Sequence, residues 1–366
     1  MNEQNLHLPD NAKISNVDST NVIESEQRKP RKIVRFRFAA VAVGLLIFTV
    51  VVYEAGYKTV IDAVSNVGWV FLLVVTMNVS RHLLRAFGIR LLVPRGENDF
   101  RYKDAVIARF GGEAAGIVSF TGAMVSEATK AALLRHRLTL ECSISTMVLD
   151  NMIYAFSVIM LVFGAAVLLI MSIGTGERKF IYVVIGIAVV MLLGFVGMTL
   201  ALKYRFQPMT YILKKHGEKR WVPNFLSRRR DGIYNVENVV FSYFATNRRE
   251  FFAVLGVNFA AHFLSVVEVY SILKRFGLPA GMPTAFIIES LTKVINVAFI
   301  MIPGNLGVYE GGASVIFRVL GFAAATGVAL AIVRRGAILF STAIGLLLVL
   351  WQNVEKKRSV GNSVSK

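Results

Sequence analysis

The sequence predicts an all-α, polytopic membrane protein of about six transmembrane helices plus two opposed re-entrant hairpins, with the pattern of an inverted repeat. Three observations carry this reading. Of 366 residues, 55% belong to the set AVILMFWYC and 17% are charged, against roughly 45–50% and 25% in soluble domains, and the mean hydropathy is +0.58. The apolar residues are gathered into blocks, such as 38–53 and 180–202, that approach or exceed the roughly 20 residues needed to cross a bilayer as helix. Two further apolar segments, 105–134 and 284–320, are interrupted by glycine.

Taken in order, residues 1–33 are polar and read as a disordered cytoplasmic tail, without the apolar core of a signal peptide. The first crossing, 38–53, follows Arg28, Lys29, Arg31, Lys32, Arg35 and Arg37, which anchor the N-terminus on the cytoplasmic side. Residues 57–67 alternate polar and apolar at helical spacing and suit the outer interface. The second crossing, 68–93, returns to a loop with Arg90, Arg95, Arg101 and Lys103. Segment 105–122 holds Gly111, Gly112, Gly116 and Gly122 and leads into Lys130, Arg135 and Arg137. Both its flanks are basic, so it reads as a re-entrant hairpin.

Crossings 140–173 and 180–202 come next. The stretch 203–250 then carries eleven basic residues against four acidic ones, a net of +7, and is expected on the anionic inner leaflet. Crossing 251–273 carries Asn258, His262 and Glu268. The apolar stretch 283–302 is interrupted by Glu289, Lys293 and Asn296 and ends at Pro303-Gly304, after which a second half-helix runs to about Leu320. The last crossing, 322–351, stops before Glu355-Lys356-Lys357-Arg358. Residues 34–352 therefore form one transmembrane domain, 353–366 a basic cytoplasmic tail, and six crossings keep both termini inside.

The formal charge of +18 comes from 41 Lys and Arg against 23 Asp and Glu. This excess sits between hydrophobic segments, where positive-inside bias places it, and not on a folded face with base-reading groups, so no nucleic-acid partner is expected. Cys142 is the single cysteine, so no intrachain disulfide and no CxxC metal site can form. There is no GxxxxGK[ST] loop, HExxH pair or GxSxG elbow, and the five histidines are scattered. The expectation is a protein that is not an enzyme and holds no cofactor or metal.

Ionisable residues at membrane depth mark either a site or a buried pair. Arg81 and Arg85 lie one turn apart on one helical face, where a guanidinium fork suits a lipid phosphate and snorkelling is the plainer alternative. Glu127 and Glu310 follow the glycine turns of the two broken segments; each is read as a cavity-facing titratable group or as a helix cap. Glu289 and Lys293 have the spacing of a structural ion pair. Arg334 and Arg335 lie deep in the last block, so at least one is expected to meet a carboxylate such as Glu310, or a phosphate. Asp150 is expected to partner Lys130 or an arginine, and His262 with Asn258 to make a polar interhelical contact.

The two broken segments also resemble each other: Thr121-Gly122-Ala123-Met124-Val125-Ser126-Glu127 is similar to Pro303-Gly304-Asn305-Leu306-Gly307-Val308-Tyr309-Glu310. Paired broken segments in two halves of a chain point to a transport site. The stretch Pro303 to Gly311 resembles the most recognisable motif of the lysylphosphatidylglycerol synthase transmembrane, or flippase-like, family. Leu84-Arg85-Ala86-Phe87-Gly88-Ile89-Arg90-Leu91-Leu92 resembles that family's arginine-rich span end, and Ser126 to Leu134 its glycine-acid-x-x-arginine-x-x-Leu-Leu segment. Departures are Thr121-Gly122 in place of proline-glycine, Ser126 for glycine, Lys130 for arginine, and Asp150-Asn151 for an acidic-arginine pair.

The resemblance runs from about residue 38 to 352, without the cytosolic aminoacyl-transfer domain of bifunctional members. It implies a stand-alone lipid translocase of the cytoplasmic (inner) membrane, moving or binding an anionic or phosphorylated lipid. Arg81, Arg85, Glu127, Lys130, Asp150, Gly304, Gly307, Glu310, Arg334 and Arg335 are the candidate substrate-binding residues, and membrane lipids the expected partners. Two alternatives stand beside it: a small-anion secondary transporter, and a non-transporting partner of a lipid- or glycan-biosynthetic enzyme docking through 203–250.

Overall fold

The computed structural model describes residues 65–94, 100–119, 122–172, 230–299 and 307–364, with scattered positions between 58 and 62 and between 182 and 215. The N-terminal tail, the 38–53 crossing, most of the 57–67 segment, most of the 180–202 crossing and most of the basic stretch before 230 lie outside the described residues. Nine helices are continuous within them: α1 (Val70–Leu92), α2 (Tyr102–Val118), α3 (Gly122–Leu134), α4 (Leu140–Ser172), α5 (Arg230–Thr246), α6 (Arg248–Arg275), α7 (Met282–Ala298), α8 (Val308–Val319) and α9 (Ala324–Val364).

Among the described residues, four helices are long and apolar enough to cross a membrane: α1, α4, α6 and the Ala324–Gln352 part of α9. They coincide with the predicted crossings 68–93, 140–173, 251–273 and 322–351. The helix itself continues to Val364, beyond the apolar part that ends at Gln352; no proline interrupts residues 353–364. Helix ends follow local chemistry. Helix α1 stops where Val93 turns extended ahead of Pro94, and α7 opens with Pro283 in its first turn. Helix α6 closes at Gly277, with φ of 71° and the Leu278 N–H on the Leu273 carbonyl at 3.1 Å.

Both glycine-broken segments are helical hairpins. At 17 and 13 residues, α2 and α3 are about 25 and 20 Å long, and α7 and α8 at 17 and 12 residues are similar. All fall short of the roughly 30 Å hydrocarbon layer. Their glycines allow the close approach on which helix association in lipid depends. A Cβ at Gly112 would lie 2.2 Å from Lys130 Cγ, one at Gly312 would lie 2.3 Å from Ile295 Cδ1, and one at Gly345 would lie 2.3 Å from the Phe110 carbonyl, where α9 meets α2.

Among the apolar clusters of the described residues, two are stacked along the spans, and a third joins Leu92 of α1, Ile153 of α4, Val240 of α5 and Val254 of α6. The first gathers Val70, Val74 and Val75 of α1, Val162 and Leu169 of α4, Val269 and Ile272 of α6, and Leu330 of α9. The second gathers Ala86 and Ile89 of α1 with Met147 of α4. The open end of the α7–α8 hairpin sits in the first core through Ala285, Ile288, Ile316 and Phe317. That of α2–α3 sits in the second through Ala105, Ala108 and Leu134. The hairpins thus insert from opposite ends of the bundle, as the sequence predicts. Arg81, His82 and Arg85 occupy the stretch of α1 between the cores, and a layer of charge lies at that depth.

Candidate functional site

The layer consists of two ionic clusters, one around each hairpin. At the centre of the α7–α8 cluster is Arg334 of α9. Its Nε donates to Glu268 Oε1 at 2.9 Å, one terminal nitrogen lies 2.9 Å from Glu289 Oε2, and the same nitrogen donates to the Tyr309 hydroxyl at 3.1 Å. Lys293 Nζ lies 2.9 Å from Glu289 Oε1. Arg81 donates to Ser265 Oγ and approaches Glu268 Oε2 at 3.5 Å. Beside these, Arg335 Nε donates to Glu310 Oε1 at 2.7 Å, while Glu310 Oε2 accepts the Gly307 N–H at 2.9 Å. Gly307 has φ of 75°, a conformation that a side chain disfavours, and it sets the carboxylate at the start of α8.

The α2–α3 cluster is knit differently. Lys130 Nζ lies 2.9 Å from Glu113 Oε1 and 2.8 Å from Glu127 Oε1, joining both arms of the hairpin. Arg109 meets Glu113 at 3.0 Å and Asp150 at 3.9 Å, and Asp150 also takes Arg85 at 3.2 Å. Between the clusters stands Tyr154 of α4. The Arg85 guanidinium carbon lies 3.9 Å from the centroid of its ring, a cation–π contact, and the His262 ring lies 5.5 Å away. His262 Nε2 is 3.0 Å from Ser157 Oγ, the polar interhelical contact the sequence predicts.

The clusters differ in which sign is accessible. Around α7–α8, Glu268, Glu289 and Glu310 are wholly buried, whereas the side chains of Arg81 and Lys293 are each 17% exposed. Around α2–α3 the order is reversed at the hairpin itself, where Glu113 and Glu127 are 33% and 32% exposed and Lys130 is buried, while Asp150 of α4 is buried behind a partly exposed Arg85. The named pairs also differ in balance. Arg81, Lys293, Arg334 and Arg335 face Glu268, Glu289 and Glu310, four against three. Arg85, Arg109 and Lys130 face Glu113, Glu127 and Asp150, three against three. Among the described residues, no three His, Cys, Asp or Glu converge as metal ligands would.

Of the sequence-predicted residues, Arg81 and Arg334 meet on Glu268, Arg85 meets Asp150, Lys130 meets Glu127, and Arg335 meets Glu310. Gly307 caps α8, and Gly304 lies outside the described residues. Glu289 and Lys293 pair as expected, with Arg334 as a further partner. The cap reading holds for Glu310 but not for Glu127, which is the sixth residue of α3, beyond the free N–H groups of the first turn. Arg109 and Glu113 were missed; their signal was an ion-pair spacing inside an apolar, glycine-rich segment. Tyr309 had no signal of its own.

A family model described as the lysylphosphatidylglycerol synthase TM region matches residues 37–345, a stretch that contains every charged residue of both clusters. No curated protein and no solved structure matches the chain significantly.

Proposed function

The chain belongs to the lysylphosphatidylglycerol synthase transmembrane-region family, and from that premise we propose that it is a lipid translocase, not an enzyme, moving or binding an anionic or phosphorylated lipid. One observation carries the reading: in the α7–α8 cluster the named carboxylates are all buried, and the accessible charged groups, Arg81 and Lys293, are cations. A lipid phosphate approaching that layer meets Arg81 and Lys293 first, with Glu268 and Glu289 behind them as counter-ions. Ionisable groups held at such depth are costly unless they serve a pathway or one another.

The opposed hairpins supply a second support, since broken helices inserted from both sides place a polar path across the bilayer midplane. The cytoplasmic membrane is the proposed location, with both termini cytoplasmic, from the basic residues that flank the spans. A lipid- or glycan-biosynthetic enzyme is a proposed further partner, docking through the basic stretch 203–250.

The test is native mass spectrometry of gently extracted protein beside Lys293→Gln and Arg81→Gln variants of matched thermal stability. Retention of phosphatidylglycerol by wild type and its loss in both variants is the expected result. Identical lipid profiles in all three would remove the cluster from the reading.

A further inference from the structure

Helices α4, α6 and α7 leave a groove of about 410 Å³ lined by Leu161, Phe259, His262, Phe263, Val266 and Phe286, with Met282 and Pro283 at one end. That volume lies in the range of small-ligand sites, about 300–1,000 Å³. Its lining is aliphatic and aromatic except for His262. Three features identify the phase it opens to. Phe263 stands 63% exposed on a helix long and apolar enough to span, so the mouth faces hydrocarbon. Met282 and Pro283 place the groove at the α6–α7 connection, in one leaflet. Its other end reaches His262 and Phe259, near the middle of α6.

His262 is the polar end of the groove and also the point where it touches the charged layer. Its ring lies 5.5 Å from that of Tyr154, which carries Arg85 on its face, and Ser265, one turn along α6, takes a hydrogen bond from Arg81. An apolar groove open to the bilayer and ending beside accessible cations has the polarity of a phospholipid laid on its side. We propose that the groove seats one acyl chain of the bound lipid, against Leu161, Phe259, Val266 and Phe286, while its phosphate reaches Lys293 and Arg81 past His262. The groove is then the lateral access route from one leaflet to the charged layer. This rests on the headgroup reading above and adds where the hydrocarbon goes.

A photoreactive benzoylphenylalanine in place of Phe263, in the full chain in phosphatidylglycerol-containing vesicles, tests the idea. The same group in place of Phe340, an exposed residue of α9, is the control. We expect a phosphatidylglycerol adduct at 263 that falls at least fivefold with Lys293→Gln and with Met282→Trp, while the adduct at 340 is unchanged. Met282 is itself 38% exposed, so its replacement closes the mouth without disturbing the core; Val266→Trp is the second block, used at matched thermal stability. An adduct at 263 indifferent to Lys293 and to both blocks overturns the groove. If Lys293→Gln still removes phosphatidylglycerol in native mass spectrometry, the groove alone fails; if it does not, the headgroup reading fails with it.

Discussion

The two hairpins have the same architecture and opposite electrostatics. Each is a pair of short helices closed by glycine contacts and inserted from one end of the bundle, and each brings carboxylates and cations to the same depth. Around α7–α8 the carboxylates are buried behind partly exposed cations, while around α2–α3 a buried lysine holds two partly exposed carboxylates together. The difference teaches that depth alone does not define a binding group. Around α7–α8 a wholly buried carboxylate is the counter-ion of a partly exposed cation, and only the cation is placed to meet an incoming group.

The sharpest way to break this comparison is to remove the central cation of each cluster. Arg334→Met leaves Glu268 and Glu289 buried without their main partner, and truncating one side of such a pair typically costs about 3–5 kcal/mol. The thermal midpoint in detergent should fall accordingly, and the added changes Glu268→Gln and Glu289→Gln should recover much of the loss. Lys130→Met takes the ion-pair partner from Glu127 and leaves Glu113 with Arg109 alone, and a third of each carboxylate side chain is exposed, so a smaller loss of about 1–3 kcal/mol is expected by the same assay.

Ligand selectivity sharpens the comparison further. Lys293→Gln should weaken phosphatidylglycerol binding about tenfold, or 1.4 kcal/mol, in a lipid-competition titration, whereas Glu113→Gln should leave it unchanged; equal effects would erase the distinction between the clusters. The smallest effect is expected at the hairpin tip. Gly307→Ala forces a side chain onto φ of 75°, a strain of about 1–2 kcal/mol, visible as a modest drop in thermal midpoint with lipid selectivity retained.

Much of the architecture was legible because it is written in local composition. Four crossings are continuous apolar blocks, and the hairpins are marked by glycine where helices must touch. Glu289–Lys293 was legible for the same reason, since its spacing lies within one helix. The pairings between helices were not. Arg85 and Asp150 are 65 positions apart, and Arg334 and Glu268 are 66 apart; which cation meets which carboxylate is decided by how helices rotate in the bundle, and no short pattern records that. The sequence left Glu127 open between a cap and a cavity-facing group because its resemblance to Glu310 is a matter of motif, while the helix starts fall at different distances from the two residues. Arg109 and Glu113 were hidden inside a segment whose glycines drew attention to its turn.

The layer of charge between the two apolar cores also has an electrical meaning. The cores above and below it are poor conductors of field, so groups at that depth experience roughly half of any voltage across the membrane. Displacing one elementary charge from the layer to either surface would then exchange about 1 kcal/mol with a potential of 100 mV. A step that moves Arg81 or Lys293 out of the plane alone is therefore driven or opposed by the membrane potential, whereas the same cation moving together with one bound anionic charge displaces no net charge and is indifferent to it.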